Sequence, residues 1–190
     1  MIEFVFNDIK YWKNEGVDII AHQVNCHGVM GSGVAKVIRD CFPQAFTEYK
    51  NLCACHTGPY RVGLLGTTQF VDTSDNDGNP VVIANMFGQE NYGHKGGLYT
   101  NYNALRCCLE KLKTYADNRI FDVDTPTIIA MPFKIGCGLG GGNWKDVVYP
   151  MIREVFDSDK TVVLKLFNNQ AKKVVFEPYY PRPTIQDLQF

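Results

Sequence analysis

Apolar and polar positions along the chain follow two alternating patterns. Nearly continuous apolar runs, typical of buried strands, occupy residues 2–6, 17–24, 63–71, 80–87, 127–131 and 161–167. Between them, apolar side chains recur every three or four residues, as on one face of a helix. This spacing predicts helices over residues 34–41, 44–54, 102–116 and 146–156. Strands that alternate with helices indicate an α/β layer structure with a mixed, helix-covered sheet.

The remaining segments have the composition of turns and loops. Polar residues 72–79 separate two predicted strands and favour a β-hairpin, and the glycine-rich residues 88–97 predict a loop. Residues 169–190 contain three closely spaced prolines and are predicted to pack as an extended tail on the same domain, where residues 174–176 could add an edge strand. Since no repeat or linker divides the chain, residues 1–168 are predicted to form a single domain.

Two glycine-rich turns each follow a predicted strand. The first glycine-rich turn is residues 25–33 (Asn-Cys-His-Gly-Val-Met-Gly-Ser-Gly), and the second is residues 136–144. Glycine lets backbone N–H groups approach a phosphate closely, and a helix that begins at such a turn adds the positive end of its dipole. Ligands of open α/β sheets bind at the carboxyl ends of the strands, so the two turns predict one site with a diphosphate between them. The first turn matches neither the dinucleotide fingerprint nor the P-loop.

Composition narrows the classes of function. With 190 residues, 45% of them hydrophobic, the chain suffices for one substantial core. Its formal charge is -1 and it has no basic run, so we expect loops to hold any phosphate and no direct nucleic-acid footprint. The N-terminus lacks a signal-peptide pattern and no apolar run reaches roughly 18 residues, which predicts a cytoplasmic protein without membrane contact. The spacing of His22, Cys26, His27 and Cys137 is not a zinc pattern, so we expect no metal, and no cofactor is expected either.

Several short stretches of the chain form a recognisable set. They are Asn-Asp-Ile at residues 7–9, residues 22–35, Met-Pro at 131–132, Ile-Gly-Cys-Gly-Leu at 135–139, and Trp144. In these stretches the chain resembles the macro domains, a family that binds ADP-ribose and related molecules. The order of the intervening elements also fits, so the match covers residues 1–168. It implies a three-layer macro-domain fold whose mixed, mostly parallel central sheet has helices on both faces. It also implies ADP-ribose or ADP-ribose-1''-phosphate as the ligand.

The resemblance further implies roles for single residues. Asp8 would accept a hydrogen bond from the adenine amino group with Ile9 beside it, and Asn25 would face the distal ribose. Phe133 or Trp144 would pack on the adenosine or on the loop. The backbones of residues 29–33 and 136–142 would enclose the diphosphate through N–H groups. The residues of this region implied to bind the ligand are Val29, Met30, Gly31, Ser32, Gly33, Val34, Ile135, Gly136, Cys137, Gly138, Leu139 and Gly140. Without the resemblance, a helix cap is the simpler interpretation of Asp8 and a core position that of Trp144, while Asn25 could be a turn residue.

Catalysis depends on which branch of the family the chain resembles. The branch that hydrolyses ADP-ribosyl–carboxylate esters uses a lysine and an acidic residue where this chain has Gln89 and Gly140. Lys95 lies in the same loop, but its spacing does not match the lysine position. The ADP-ribose-1''-phosphate phosphatase branch carries a histidine three residues before the loop asparagine, which is the position of His22.

His22 is therefore the predicted catalytic base or acid, with Asn25 near the terminal phosphate and His27 as the alternative acid or base. A buried strand histidine with both ring nitrogens hydrogen-bonded is the other interpretation of His22. The sequence thus predicts a hydrolase that removes the terminal phosphate from ADP-ribose-1''-phosphate. Two alternatives stay open: a hydrolase that removes ADP-ribose from a protein or nucleic acid, and a module that binds ADP-ribose, free or on a macromolecule, without turnover.

Overall fold

The computed structural model describes residues 1–93, 95–119, 125–157 and 161–169, and within them the backbone forms a six-stranded sheet. Its strands are β1 (Ile2–Val5), β2 (Ile19–Asn25), β3 (Thr68–Ser74), β4 (Pro80–Gln89), β5 (Thr127–Pro132) and β6 (Val162–Phe167). They lie in the order β1-β6-β5-β2-β4-β3, and each neighbouring pair is parallel except the β3–β4 hairpin. The predicted hairpin and the mixed, mostly parallel sheet are confirmed.

The helices begin and end where local sequence signals place them. The α-helices are α1 (Gly33–Cys41), α2 (Pro43–Cys55), α3 (Tyr102–Asn118) and α4 (Tyr149–Phe156). α1 and α2 meet at Phe42, which has φ −133° and ψ 70°, because the residue before a proline is kept out of the helical region. Asn101 caps α3 by accepting a hydrogen bond from the N–H of Ala104 at 3.0 Å. Three of the four predicted helices thus have nearly the expected bounds.

Helices cover both faces of the sheet, as the three-layer prediction requires. Successive side chains of β2 point to opposite faces. Ile19 packs in the core that contains Leu105 of α3 and Ile152 of α4. Ile20 packs in a second core, which contains Ile38 of α1. Both β2 side chains are fully buried, as expected of a central strand covered on both sides.

Two predicted boundaries are wrong. The strand expected over residues 63–71 begins at Thr68, because Gly58–Leu64 forms a short 3-10 helix and Gly66 then turns the chain with φ +79°. The helix expected from residue 146 is preceded by a π-helical turn over Trp144–Val148, which continues into α4. A further 3-10 helix, Ile9–Glu15, was not predicted because its few apolar positions show no sustained helical repeat.

The predicted tail, residues 169–190, lies outside the described residues from position 170 onward, as does the edge strand suggested at 174–176. A domain boundary at residue 168 therefore stays a prediction, and so does the cytoplasmic location. Among the described ranges, no helix combines the length and the hydropathy that crossing a membrane would need.

Candidate functional site

Two adjoining cavities open beside the carboxyl ends of β2 and β5. The inner cavity, of about 450 Å³, is lined by His22, Asn25 and Tyr92 among others. The outer cavity, of about 490 Å³, is lined by Asp8 and Ile9 among others. The residues that line both, here called the shared wall, are Gly33, Val34, Pro132, Phe133, Lys134 and Gly138. Because of this shared wall, the two cavities form one groove bordered by both glycine-rich turns.

Most of the predicted binding residues come together in this groove. Those that line the inner cavity are Asn25, Val29, Gly31, Ser32, Gly33, Val34, Phe133, Ile135, Gly136, Gly138, Leu139 and Gly140. Those that line the outer cavity include Asp8, Ile9 and Cys137. Met30 lines neither cavity, because its side chain is buried in the cluster with Tyr49 and Phe87. Only its backbone could contribute, as predicted for this turn.

The side chain of Asn25 shapes the first glycine-rich turn. Its Oδ1 accepts hydrogen bonds from the N–H of His27 at 2.9 Å and from the Tyr49 hydroxyl at 3.1 Å. Its Nδ2 donates to the carbonyl oxygen of Val29 at 2.6 Å. Asn25 is thus the turn residue that the sequence left as an alternative. Its Nδ2 carries two hydrogens, and the one that is not donated to Val29 is left for a ligand.

The start of α1 brings backbone donors to the groove. α1 begins at Gly33, which lies in the shared wall, and Ser32 at its N-terminus makes no side-chain capping bond. The first N–H groups of a helix have no partner within the helix and carry its positive dipole end. Gly28 supports this geometry, because its φ is +75° and a Cβ there would lie 3.4 Å from Cβ of Cys53. The first turn can therefore offer several N–H groups to an anion.

The second glycine-rich turn folds tightly on itself. The N–H of Gly142 donates to the carbonyl oxygen of Gly136 at 2.9 Å. A Cβ at Gly140 would lie 2.5 Å from that same oxygen, and one at Gly136 would lie 2.7 Å from Oε1 of Gln23. Glycine is required at these positions by close packing as well as by any approach of a ligand.

Three polar side chains that the sequence did not single out as a group hold the second turn in place. Gln23 Nε2 donates to Oε1 of Gln89 at 2.7 Å and to Oγ1 of Thr100 at 2.9 Å. Thr100 in turn donates to the carbonyl oxygen of Gly136 at 2.7 Å and is 3% exposed. These residues come from β2, β4 and the segment before α3, so no local sequence signal could have grouped them.

His22 is buried and neutral, and only one of its two ring nitrogens has a hydrogen-bond partner. It lines the inner cavity yet is 1% exposed, and its Nε2 lies 2.8 Å from Oδ1 of Asn85. Its Nδ1 is buried without a hydrogen-bond partner. Burial lowers the pKa of His22 to about 4, against a smaller opposing effect of the Asn85 hydrogen bond. The alternative interpretation, with both ring nitrogens bonded, therefore holds for Nε2 alone.

The structure does not bring His27 to the groove. Its Nε2 lies 2.9 Å from Oδ1 of Asn91, and its ring packs edge-on against Tyr92 with centroids 5.6 Å apart. These contacts hold the imidazole on the loop that follows β4, and His27 lines neither cavity. Its predicted role as the alternative acid or base therefore receives no geometric support, whereas Tyr92 itself lines the inner cavity.

Asp8 both caps a helix and borders the outer cavity. Its Oδ1 accepts a hydrogen bond from the N–H of Lys10 at 3.0 Å, which caps the short helix Ile9–Glu15. The cap fixes the carboxylate beside Ile9, which is 5% exposed. The capping interpretation and the position expected of an adenine contact are thus compatible.

The aromatic residues near the shared wall have different roles. Phe133 lines both cavities, whereas Trp144 is 6% exposed and packs edge-on behind Phe133 with centroids 5.0 Å apart. Trp144 is thus a core residue that supports Phe133. Lys134 is the cationic side chain of the shared wall, and its Nζ lies 5.5 Å from the Phe133 ring centroid. Sequence reasoning missed Lys134, although it lies between two of the stretches that carry the resemblance.

The thiols beside the groove are poor nucleophiles. Burial raises the pKa of Cys26 to about 12 and that of Cys137 to about 11, so both stay protonated near neutral pH. Within the described ranges, no three His, Cys, Asp or Glu side chains cluster as metal ligands would. Lys95 is exposed and does not line either cavity.

Comparison with known proteins adds independent evidence. Residues 21–151 match the family model described as Macro domain. An ADP-ribose 1''-phosphate phosphatase of Debaryomyces hansenii is 32% identical over 144 residues, which are 68% of this chain and 78% of that protein. A DNA ADP-ribosyl glycohydrolase of Mycobacterium tuberculosis is 28% identical over 130 residues, which are 68% of this chain and 32% of that protein.

Solved structures agree on the fold. A macrodomain protein from Streptomyces coelicolor superposes with a TM-score of 0.66 at 24% identity, and the alignment covers 88% of this chain and 99% of that one. At this identity the likeness concerns the fold alone.

Proposed function

The chain belongs to the macro domain family, and from this premise we propose that its groove binds ADP-ribose and its derivatives. The adenosine occupies the outer cavity, with the adenine amino group donating to Asp8 and the ring near Phe133. The diphosphate lies between the two glycine-rich turns, and the distal ribose enters the inner cavity near Asn25. The observation that carries the proposal is the groove itself, in which two cavities join at the N-terminus of α1.

Calorimetry tests the binding proposal. We expect ADP-ribose to bind, and we expect Asp8→Ala to weaken that binding roughly tenfold or more, because a hydrogen bond to a charged group is lost. Asp157→Ala is the matched control, since Asp157 is an exposed carboxylate paired with Arg153 and lies outside both cavities. Absence of heat with ADP-ribose, or tighter binding of ATP, would contradict the proposal.

The reaction that we propose is hydrolysis of ADP-ribose-1''-phosphate to ADP-ribose and inorganic phosphate. The water oxygen bonds to phosphorus, the bond from phosphorus to the ribose oxygen at C1'' breaks, and that oxygen leaves as a hydroxyl group. His22 supports this chemistry as a neutral imidazole that accepts a hydrogen bond or proton from the water, since its pKa of about 4 leaves it uncharged near neutral pH. The phosphatase from Debaryomyces hansenii supports the assignment by sequence similarity.

Phosphate release from ADP-ribose-1''-phosphate tests this reaction. We expect turnover by the wild type and a loss of about a hundredfold in His22→Ala, the lower range of acid–base contributions. His56→Ala is the control, because His56 lines neither cavity and its Nδ1 lies 2.9 Å from the carbonyl oxygen of Leu52 at the end of α2. Equal rates in all three proteins would make His22 structural, and binding of ADP-ribose without any release would identify a reader.

A second candidate reaction, removal of ADP-ribose from a nucleic acid, is favoured by the charges in the groove. Among the described residues that line the inner cavity, Lys134 is the only cationic side chain, and it lies in the shared wall. A terminal phosphate beyond the distal ribose would thus depend on backbone donors, whereas a neutral nucleobase needs no cation there. Release of free ADP-ribose from an ADP-ribosylated oligonucleotide, without phosphate release from ADP-ribose-1''-phosphate, would select this function. The similarity to the DNA ADP-ribosyl glycohydrolase of Mycobacterium tuberculosis supports the choice of an ADP-ribosylated nucleic acid as the substrate.

A further inference from the structure

A row of polar side chains crosses the sheet beside the inner cavity. His22, Asn85 and Gln69 are register partners on β2, β4 and β3, so they project from the same face. His22 Nε2 lies 2.8 Å from Asn85 Oδ1, and Asn85 Nδ2 donates to Gln69 Oε1 at 3.1 Å. His22 and Asn85 are 1% and 0% exposed. Buried polar rows of this kind leave little freedom in the orientation of their members.

The direction of these hydrogen bonds decides which ring nitrogen of His22 carries its proton. Gln69 accepts from the amide nitrogen of Asn85, which leaves the Asn85 oxygen to face the imidazole. An oxygen accepts, so Nε2 of His22 must be the donor. Nδ1 then carries the lone pair, and it is the buried ring atom without a partner. A buried acceptor left unpaired is costly, which favours a donor supplied from the cavity.

We propose that Asn85 is a positioning residue that fixes the proton of His22 on Nε2, so that Nδ1 accepts a hydrogen bond from a water or hydroxyl group in the inner cavity. The catalytic consequence of this arrangement rests on the proposed function, whereas the tautomer is a property of the free protein. Near neutral pH the neutral imidazole then accepts a hydrogen bond from the cavity and has no proton to donate toward it. Gln69 contributes indirectly, because it holds the carboxamide of Asn85 in the required orientation.

Nitrogen NMR of histidine-labelled protein tests the tautomer without any turnover. In the free wild type near neutral pH, we expect the Nε2 signal of His22 to show an attached proton and the Nδ1 signal to show none. Assignment follows from the loss of both signals in His22→Ala. A proton on Nδ1 in the wild type would overturn the proposal, whatever the enzyme activity.

Variants of Asn85 test the positioning role. In Asn85→Leu the acceptor is lost, so we expect the Nε2–H preference to disappear and kcat to fall about tenfold or more, while binding of ADP-ribose is retained. Asn85→Asp keeps an oxygen at this place, and at slightly alkaline pH, where the imidazole is neutral, it should restore the tautomer and most of kcat. Thr127→Val is the control, because Thr127 is a buried polar residue at the start of β5 that lines neither cavity.

The outcomes separate this inference from the proposed function. If the tautomer follows Asn85 but the wild type releases no phosphate, the phosphatase proposal fails and the positioning role stands. If the wild type turns over and Asn85→Leu matches it in rate and tautomer, the positioning role is refuted. Should Asn85→Leu not fold, the wild-type spectrum and Asn85→Asp still decide the question.

Discussion

Burial sets the charge of His22, and the charge sets its chemistry. An exposed histidine would exchange protons near neutral pH, but the pKa of His22 is lowered to about 4 by its position under the first glycine-rich turn. The same burial lowers the free energy of unfolding in acid, because His22 binds a proton in the unfolded chain but not in the native state. His22 thus makes the stability of the fold sensitive to pH.

We therefore expect the free energy of unfolding to fall as the pH is lowered from 6.5 to about 4. Within this window the unfolded His22 takes up a proton and the native one does not, and below it both states bind the proton and the loss ends. The full loss amounts to about 3 kcal/mol. Urea denaturation at several pH values measures it: His22→Gln should lack this component, and His56→Gln should keep it. Equal pH dependence in all three proteins would contradict the assigned burial effect.

At the level of elements, the second glycine-rich turn depends on its neighbours. Thr100 before α3 accepts a hydrogen bond from Gln23 of β2 and donates to the carbonyl oxygen of Gly136, and Gly140 packs against the same oxygen. The N–H groups of Tyr99 and Thr100 both donate to the carbonyl oxygen of Gly140 at 2.9 Å. The turn is therefore preorganised before any ligand arrives, which reduces the ordering cost of binding.

Gly140→Ala tests this packing. We expect it to lower the free energy of unfolding by about 1–3 kcal/mol, because the new Cβ overlaps backbone that cannot move independently. ADP-ribose binding should weaken as well, since the turn must shift to accommodate the methyl group. Gly63→Ala is the matched control, because a Cβ built there meets no atom within 4 Å outside its immediate chain neighbours and its own helix backbone. Thermal and urea denaturation measure the change, and a Gly140→Ala protein as stable as the control would contradict the prediction.

At the scale of the whole molecule, the groove joins parts of the chain that are distant in sequence. β2 pairs with both β4 and β5, so the first glycine-rich turn and the segment Pro132–Gly138 meet at one edge of the sheet. Asp8 and Asn168, from the two ends of the described chain, both line the outer cavity. A ligand that spans both cavities therefore contacts several elements and should stabilise the fold as a unit.

Ligand-linked stability tests this arrangement. ADP-ribose at a hundredfold excess over its dissociation constant should raise the free energy of unfolding by about 3 kcal/mol, and the melting temperature should rise with concentration. Adenosine and inorganic phosphate at the same concentrations should raise it much less, because each occupies one part of the groove. An equal or larger shift with ATP would argue against a distal ribose in the inner cavity.

Particular residues show why sequence reasoning succeeds at some points and fails at others. The strand at residues 17–24 and the helix at 102–116 were predictable, because long apolar patterns and caps such as Asn101 act locally. The start of β3 was not, because Gly66 and the buried Leu64 form their turn through contacts with β4 and the cluster under α2. The position of His27 within the first glycine-rich turn predicted a role in the site. In the structure its ring instead contacts Asn91 and Tyr92 on the loop after β4.

The sequence by itself determined the layered fold, the two glycine-rich turns and the family, because hydrophobic periodicity and backbone preferences are local properties of the chain. Only the tertiary structure decided that Asn25 braces the first turn, that Lys134 lies in the shared wall and that Asn85 leaves Nδ1 of His22 without a partner. These features depend on which strands become neighbours and on how deeply each side chain is buried. Pairing across 63 residues, as between His22 and Asn85, is set by the register of β2 and β4, which no local pattern encodes.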